Sequence, residues 1–337
     1  MKTILHVGMH KTATTTFQQW LYENRDALRE KGIFYPDTSE FGVQQRYGHN
    51  RLAQLISMEP KEGARVVRKL RRRAAEQVSG DPTLLISAEA LSSRVDTARE
   101  AVRGRDRARN AYVKRLANHF GPEARICIVL RRPDSFAESL HQQRVRKTRY
   151  AQTLAELAAS DPLLDYSGQI ALWQSAFDDV KVCLFEDLIA DPLGAAPALA
   201  GELGLPQELP VAPTRMNDGL HPVLTEFKRL RNGQGEAANP QDVRRLEDNL
   251  RAFQSSQDLP WLKTKVTFWD PADRIAFLDG MAPQLEEIRA RYFPDRAAPL
   301  FPEAKGLPDH VETISEDQAA QIETFLTKLK RQRRKAS

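Results

Sequence analysis

Short apolar runs alternate with longer amphipathic stretches over the first two hundred or so residues. Ile4–Val7 is the first run and breaks at Gly8. Thr83–Ser87, Arg125–Leu130 and Val180–Phe185 follow, apolar at successive positions, as strands buried on both faces require. Ile33-Phe34-Tyr35, ahead of Pro36, adds another short strand. Between these runs the period becomes helical. Phe17, Trp20, Leu21 and Leu28 recur at helix spacing from Thr14 to Lys31, where Gly32 stops the pattern. The same spacing predicts helices over His49–Met58, Gly63–Val78, Asp106–Phe120, Pro133–Lys147, Asp165–Phe177 and Leu193–Leu203, and Asp37–Gly48 reads as a polar loop. Strands alternating with helices predict an α/β fold, a parallel sheet flanked by helices on both faces.

From Pro206 the pattern changes. Proline and polar residues dominate to Asn217, and helices are predicted over Val223–Arg231, Pro240–Ala252, Pro271–Tyr292 and Glu316–Arg334, with no strand among them. The expected organisation is an α/β core over residues 1–205 and a mostly helical C-terminal extension, 206–337, packed on it and ending in a basic tail, 328–337.

Composition narrows this picture. With 337 residues, 41% hydrophobic and 28% charged, the chain is globular and long enough for a substantial core, which excludes a disordered chain. Fifty Lys and Arg against 45 Asp and Glu leave a net charge of +5, which permits an anionic ligand without demanding nucleic acid. Cys127 and Cys183 are the two cysteines, each inside an apolar run, so a disulfide scaffold and a cysteine zinc site are excluded. No apolar stretch reaches the roughly 18 residues of a membrane span, and Met1–Gly8 reads as the start of the fold rather than a signal peptide. A cytoplasmic location is the expectation.

The candidate chemistry lies in Gly8-Met9-His10-Lys11-Thr12-Ala13-Thr14-Thr15-Thr16, which follows a strand and opens a helix. That context aims backbone N–H groups and the positive helix end at one point, as a phosphate requires. Gly8 allows a sharp turn, Lys11 adds a cation, and the threonines add hydroxyls; the segment is P-loop-like. It is not a Walker A loop, because His10 rather than glycine precedes Lys11. A Thr-rich helix cap is the plain alternative, and it accounts for one threonine rather than the whole register. A second element is β-strand Arg125–Leu130 running into Arg131-Arg132-Pro133 and on to Ser139. Arg131 falls at the carboxyl end of a strand, where α/β folds bind ligands, and an Arg with a Ser hydroxyl makes a second phosphate clamp. Solvated arginines on an ordinary strand–turn–helix are the alternative.

Together the two elements resemble sulfotransferases that use 3′-phosphoadenosine 5′-phosphosulfate (PAPS). Their G-x-x-K-T-[GA]-T-[ST] loop is similar to Gly8, Lys11, Thr12, Ala13, Thr14 and Thr15, with Ala13 where a glycine is usual. Their later R-x-P…S motif is similar to Arg131, Pro133 and Ser139. Leu164-Asp165-Tyr166, Leu172-Trp173 and Val182–Leu188 also look like bacterial members, and the resemblance runs to about Leu205. The Gly-Arg-x-x-Pro loop of some carbohydrate sulfotransferases is missing.

The resemblance implies sulfuryl transfer to a hydroxyl or amine, with PAPS as co-substrate, the 3′,5′-bisphosphate PAP as product and no metal. It implies that Lys11 neutralises the departing phosphate oxygen, that Gly8, Thr12, Ala13, Thr14, Thr15 and Thr16 hold the phosphosulfate, and that Arg131 and Ser139 hold the 3′-phosphate. The general base is open among three residues. Glu89, two residues after the strand Thr83–Ser87, is the first candidate; capping the next helix, or pairing with an arginine, is its alternative. His10 and His49 are the others, and His6, on a strand, reads as buried and hydrogen-bonded. A carbohydrate is the expected acceptor. Two rival functions are a nucleotide-dependent kinase with a variant phosphate loop and a non-catalytic nucleotide- or glycan-binding protein on the same fold.

Overall fold

The computed structural model describes residues 1–9, 11–42, 47–97, 100, 102, 104–210, 219–235, 239–302, 309–311 and 313–336. The chain forms two compact units. The first holds Met1–Arg132, Asp165–Arg215 and Gln284–Phe301, the second Pro133–Leu164, Met216–Pro283 and Pro302–Ser337. The two units interleave along the chain.

In the first unit β1 (Lys2–His6), β2 (Ile33–Phe34), β3 (Thr83–Ser87), β4 (Arg125–Leu130) and β5 (Asp179–Leu184) make one parallel sheet in the order β2-β3-β1-β4-β5. These are the five apolar runs. Their register places Leu5 beside Ile86 and Ile126, and His6 beside Ser87 and Cys127. Leu84, Leu85 and Ile86 of β3 and Ile126 through Leu130 of β4 are at most 2% exposed, so both faces are covered. Each such aliphatic side chain contributes on the order of 1.5–3 kcal/mol of burial.

The covering helices are α1 (Thr14–Glu23), α2 (Arg25–Glu30), α3 (Asn50–Met58), α4 (Pro60–Gln77) and α5 (Arg105–Phe120). After α6 (Pro133–Lys147) and α7 (Leu154–Ser160) of the second unit come α8 (Tyr166–Gln174), α9 (Phe185–Ala190) and α10 (Ala195–Glu202) of the first. α1 packs with α10, while α3, α4, α5 and α8 form a connected layer. Right-handed crossovers that step in opposite directions along the sheet put these two groups on opposite faces. Phe17, Trp20 and Leu21 of α1 join Ile4, Cys127 and Leu199 in one hydrophobic cluster. Between α3 and α4, a Cβ at Gly63 would lie 2.8 Å from the Ile56 Cα, so glycine sets how closely the two helices approach.

Several expectations change. The helix expected from Thr14 to Lys31 divides at Asn24, whose amide Nδ2 donates to the carbonyls of Trp20 and Pro210 at 2.9 Å. α7 was not expected, although Thr153 and Glu156 form a full capping box at its start.

The second unit contains α6, α7, α11 (Pro222–Gly233), α12 (Pro240–Ser256), α13 (Pro260–Lys263) and α15 (Glu316–Ala336). α14 (Pro271–Tyr292) runs in the second unit to Pro283 and in the first from Gln284. The second core gathers Leu220, Leu224, Phe227, Leu250, Phe253 and Ile322. No strand was expected here, yet β6 (Val266–Thr267) pairs in parallel with β7 (Asp309–His310). Asp134, in the first turn of α6, and Arg274 of α14, both buried, form an ion pair. Among the described residues no helix is long and apolar enough to cross a membrane.

Candidate functional site

The carboxyl edge of the first unit's sheet gathers most of the residues singled out by sequence. β1 lies in the middle of the sheet, and the Val7 N–H still donates to the Cys127 carbonyl at 3.0 Å. The chain then turns at Gly8, with φ 67°. A Cβ there would stand 3.3 Å from the Glu89 Cβ and 3.6 Å from Thr14 Oγ1, so the loop leaves the sheet in contact with Glu89.

Lys11 and Ala13 are also left-handed, with φ 66° and 55°, and they are the residues other than glycine so disposed among those described. Such a conformation costs a residue with a Cβ about 1–2 kcal/mol. Left-handed residues alternating with right-handed ones turn successive amides inward and build an anion-binding concavity. Ala13 is also the cap of α1 and offers no side-chain capping bond. The first amides of the helix therefore have no capping bond from Ala13 and no partner within the helix. Ala13 explains why glycine suits this position: its backbone is one that glycine adopts freely.

The threonines divide into two pairs. Thr12 is 1% exposed and donates its hydroxyl to the Met9 carbonyl at 2.8 Å, and Thr14 Oγ1 reaches the same oxygen at 3.5 Å. These two close the loop on itself. Thr15 is exposed and Thr16 half-buried at the start of α1. Lys11 is half-buried, and its carbonyl accepts from Arg131 Nη1 at 2.9 Å.

Glu89 opens a 3-10 turn, Glu89–Ser92, just past β3, where the Ala88 N–H donates to the His6 carbonyl at 2.9 Å. Its side chain is half-buried beside Gly8, and its charge is felt by His6.

Behind this edge runs a buried polar network centred on Ser87. Ser87 Oγ lies 2.8 Å from His6 Nδ1, the Ser87 N–H donates to His49 Nδ1 at 3.0 Å, and the Ser87 carbonyl accepts from the His49 N–H at 2.9 Å and from Gln18 Nε2 at 3.3 Å. His49 accepts at Nδ1, so Nε2 carries the proton and donates to the Pro36 carbonyl at 2.9 Å. Both ring nitrogens are thus spent on main chain in a side chain 1% exposed, which removes His49 as a proton acceptor for a substrate. Burial lowers both His6 and His49 from 6.5 to about 4; Glu89 opposes this at His6, and the hydrogen bond to the Pro36 carbonyl opposes it at His49. His6 is buried and hydrogen-bonded, as its strand position suggested.

His10 lies outside the described residues. Ser139 is half-buried on α6 and belongs to the second unit, whereas Arg131 belongs to the first. Residues without an assigned role in the sequence reading also meet at this edge. The buried Tyr166 hydroxyl donates to the Arg131 carbonyl at 2.7 Å, and Glu186 Oε1 accepts from the Arg132 N–H at 3.0 Å. Burial raises the Glu186 carboxyl above its ordinary value, against the bond from Arg132. Both residues lie in segments singled out in the sequence, Leu164-Asp165-Tyr166 and Val182–Leu188.

No protein-family model matches the chain, and no curated protein matches it in sequence. Among solved structures it is similar to a sulfotransferase from Alicyclobacillus acidocaldarius, at 19% identity over 78% of this chain and 99% of that one, with a TM-score of 0.39. It is also similar to a sulfotransferase domain from the curacin biosynthetic pathway, at 14% identity over 85% and 98% with a TM-score of 0.38. A third, a sulfotransferase domain from the Synechococcus PCC 7002 olefin synthase, gives 15% identity over 83% and 94% with a TM-score of 0.33.

Two outcomes follow. Ala13→Gly should raise stability by up to about 1 kcal/mol in urea unfolding, because glycine adopts the observed backbone freely; a loss would show that the methyl supports the loop. The fold holds the His6 and His49 rings neutral, whereas unfolded rings take a proton near pH 6.5. Their contribution is therefore complete above pH 6.5 and is lost as pH falls toward 4, at up to about 1.4 kcal/mol per pH unit for each ring. His49→Gln should remove one ring's share of that slope between about pH 4.5 and 6. An unchanged slope would mean that His49 ionises in the fold.

Proposed function

We infer that this chain is an enzyme that transfers a sulfuryl group from PAPS to a hydroxyl or amine of an acceptor, with a carbohydrate as the proposed acceptor class. The observation that supports it most is the loop itself: Gly8, Lys11 and Ala13 turn left-handed in sequence between the central strand and α1, with Glu89 packed against Gly8. Such a loop binds a phosphate-like group through amides and one ammonium. Lys11 in place of a Walker arrangement, with Arg131 alongside, suits a phosphosulfate better than a nucleoside triphosphate.

In the proposed reaction the acceptor oxygen or nitrogen attacks sulfur, the bond from sulfur to the 5′-phosphate oxygen breaks, and PAP leaves. Lys11 offsets the charge that grows on that oxygen, and the amides of residues 12–16 hold the rest of the group. Glu89 takes the acceptor's proton. Of the three base candidates it is the one at the loop with described geometry, since His49 is consumed by the main chain. Arg131 is assigned to the 3′-phosphate.

Lys11→Ala should lower sulfuryl transfer by two or more orders of magnitude while the melting temperature stays within a few degrees; near-normal turnover removes Lys11 from the reaction. Glu89→Gln should slow transfer at least tenfold and leave PAP affinity within a few-fold, and a change in stability alone would make Glu89 structural. A thermal shift with PAP and none with magnesium-ADP separates this function from the kinase alternative. PAP binding without transfer of labelled sulfate to any fractionated cell glycan, lipid or small-molecule acceptor favours the non-catalytic one.

A further inference from the structure

Arg131 stands at the end of β4 with its main chain held from two sides. Its carbonyl accepts from the Tyr166 hydroxyl at 2.7 Å, and the next amide, that of Arg132, donates to Glu186 at 3.0 Å. Tyr166 is itself fixed: its ring is fully buried, and its N–H donates to Gln284 Oε1 at 2.9 Å. The guanidinium carbon lies 5.1 Å from the centre of the Phe185 ring. From this mounting, Arg131 Nη1 donates to the carbonyl of Lys11 at 2.9 Å.

The acceptor of that bond belongs to a residue under backbone strain, with φ 66°. A hydrogen bond from a charged donor is worth at least as much as a left-handed backbone costs a lysine. The bond is therefore strong enough to hold Lys11 in this conformation. The direction of the Lys11 carbonyl also sets the direction of the Thr12 amide, because the two share one peptide plane.

We propose that Arg131 is a positioning residue for the phosphate loop, holding the Lys11 carbonyl and hence the loop amides, with the Tyr166 hydroxyl as the second link that fixes Arg131. This goes beyond a grip on the 3′-phosphate and rests on the sulfuryl-transfer reading of the site. It makes Arg131 matter at the 5′ end of the nucleotide, which it need not touch.

The test compares two nucleotides by calorimetry, adenosine 3′,5′-bisphosphate and adenosine 5′-monophosphate, on the full chain and on Arg131→Ala and Tyr166→Phe. Arg131→Ala should weaken the monophosphate about tenfold although that ligand has no 3′-phosphate, and should weaken the bisphosphate further. Tyr166→Phe, which leaves the guanidinium in place, should weaken both ligands several-fold by a similar factor. Without any nucleotide, hydrogen exchange over residues 8–17 should quicken in both variants relative to the sheet. Unchanged monophosphate affinity and unchanged loop exchange in a folded Arg131→Ala would overturn the proposal. Should Arg131→Ala fail to fold, unchanged affinities and exchange in Tyr166→Phe would do the same. A wild-type chain that binds neither nucleotide would overturn the functional reading instead, and the loop exchange would still decide whether Arg131 holds Lys11.

Discussion

Among the described residues, Gly8, Lys11 and Ala13 are left-handed within six positions, and they are the constraint around which this edge of the molecule is built. The ends of the loop cannot move to relieve it. β1 is hydrogen-bonded between β3 and β4, and α1 is anchored through Phe17, Trp20 and Leu21. Two of the three residues carry a Cβ, so the loop stores on the order of 2–4 kcal/mol of backbone strain. Thr12 and Arg131 offset it by holding the Met9 and Lys11 carbonyls. Strain maintained in this way pre-forms the loop, so in the proposed function less ordering entropy is lost when an anion arrives.

The second support is polar and lies under the loop. Ser87 uses its hydroxyl, amide and carbonyl at once, joining His6 on β1, His49 ahead of α3 and Gln18 on α1. Two neutral imidazoles in such a place are costly unless their nitrogens are satisfied, and His49 is satisfied twice by main chain. The network ties β1, β3 and the start of α3 into a rigid edge, and Glu89 follows Ser87 by two residues. The position of the proposed base is thus inherited from hydrogen bonds that never meet a substrate.

Much of this was legible in the chain before its structure. The five strands were readable because a parallel sheet buried on both faces demands continuous apolar runs, and the loop was readable because a strand, a glycine, a lysine and threonines stood in register. What escaped depends on distant partners. Asn24 interrupts a helix that periodicity continues, through a bond to Pro210 far along the chain. β6 and β7 are two residues each and become strands by pairing across more than forty positions. His49 looked like a base because residue type does not reveal whether both ring nitrogens are occupied. Thr153 and Glu156 carry a capping signal for α7 in the sequence itself. Tyr166 shows no role until its hydroxyl is seen on the Arg131 carbonyl.

The central claim is that residues 8–16 enclose the phosphate end of a nucleotide. Selective nitrogen-15 labelling of threonine places four reporters in that segment, at Thr12, Thr14, Thr15 and Thr16. On titration with adenosine 3′,5′-bisphosphate, these four amide resonances should move together, to larger extents than threonines elsewhere, and saturate at one affinity. Shifts confined to threonines outside the loop, with these four unmoved at saturation, would contradict the account.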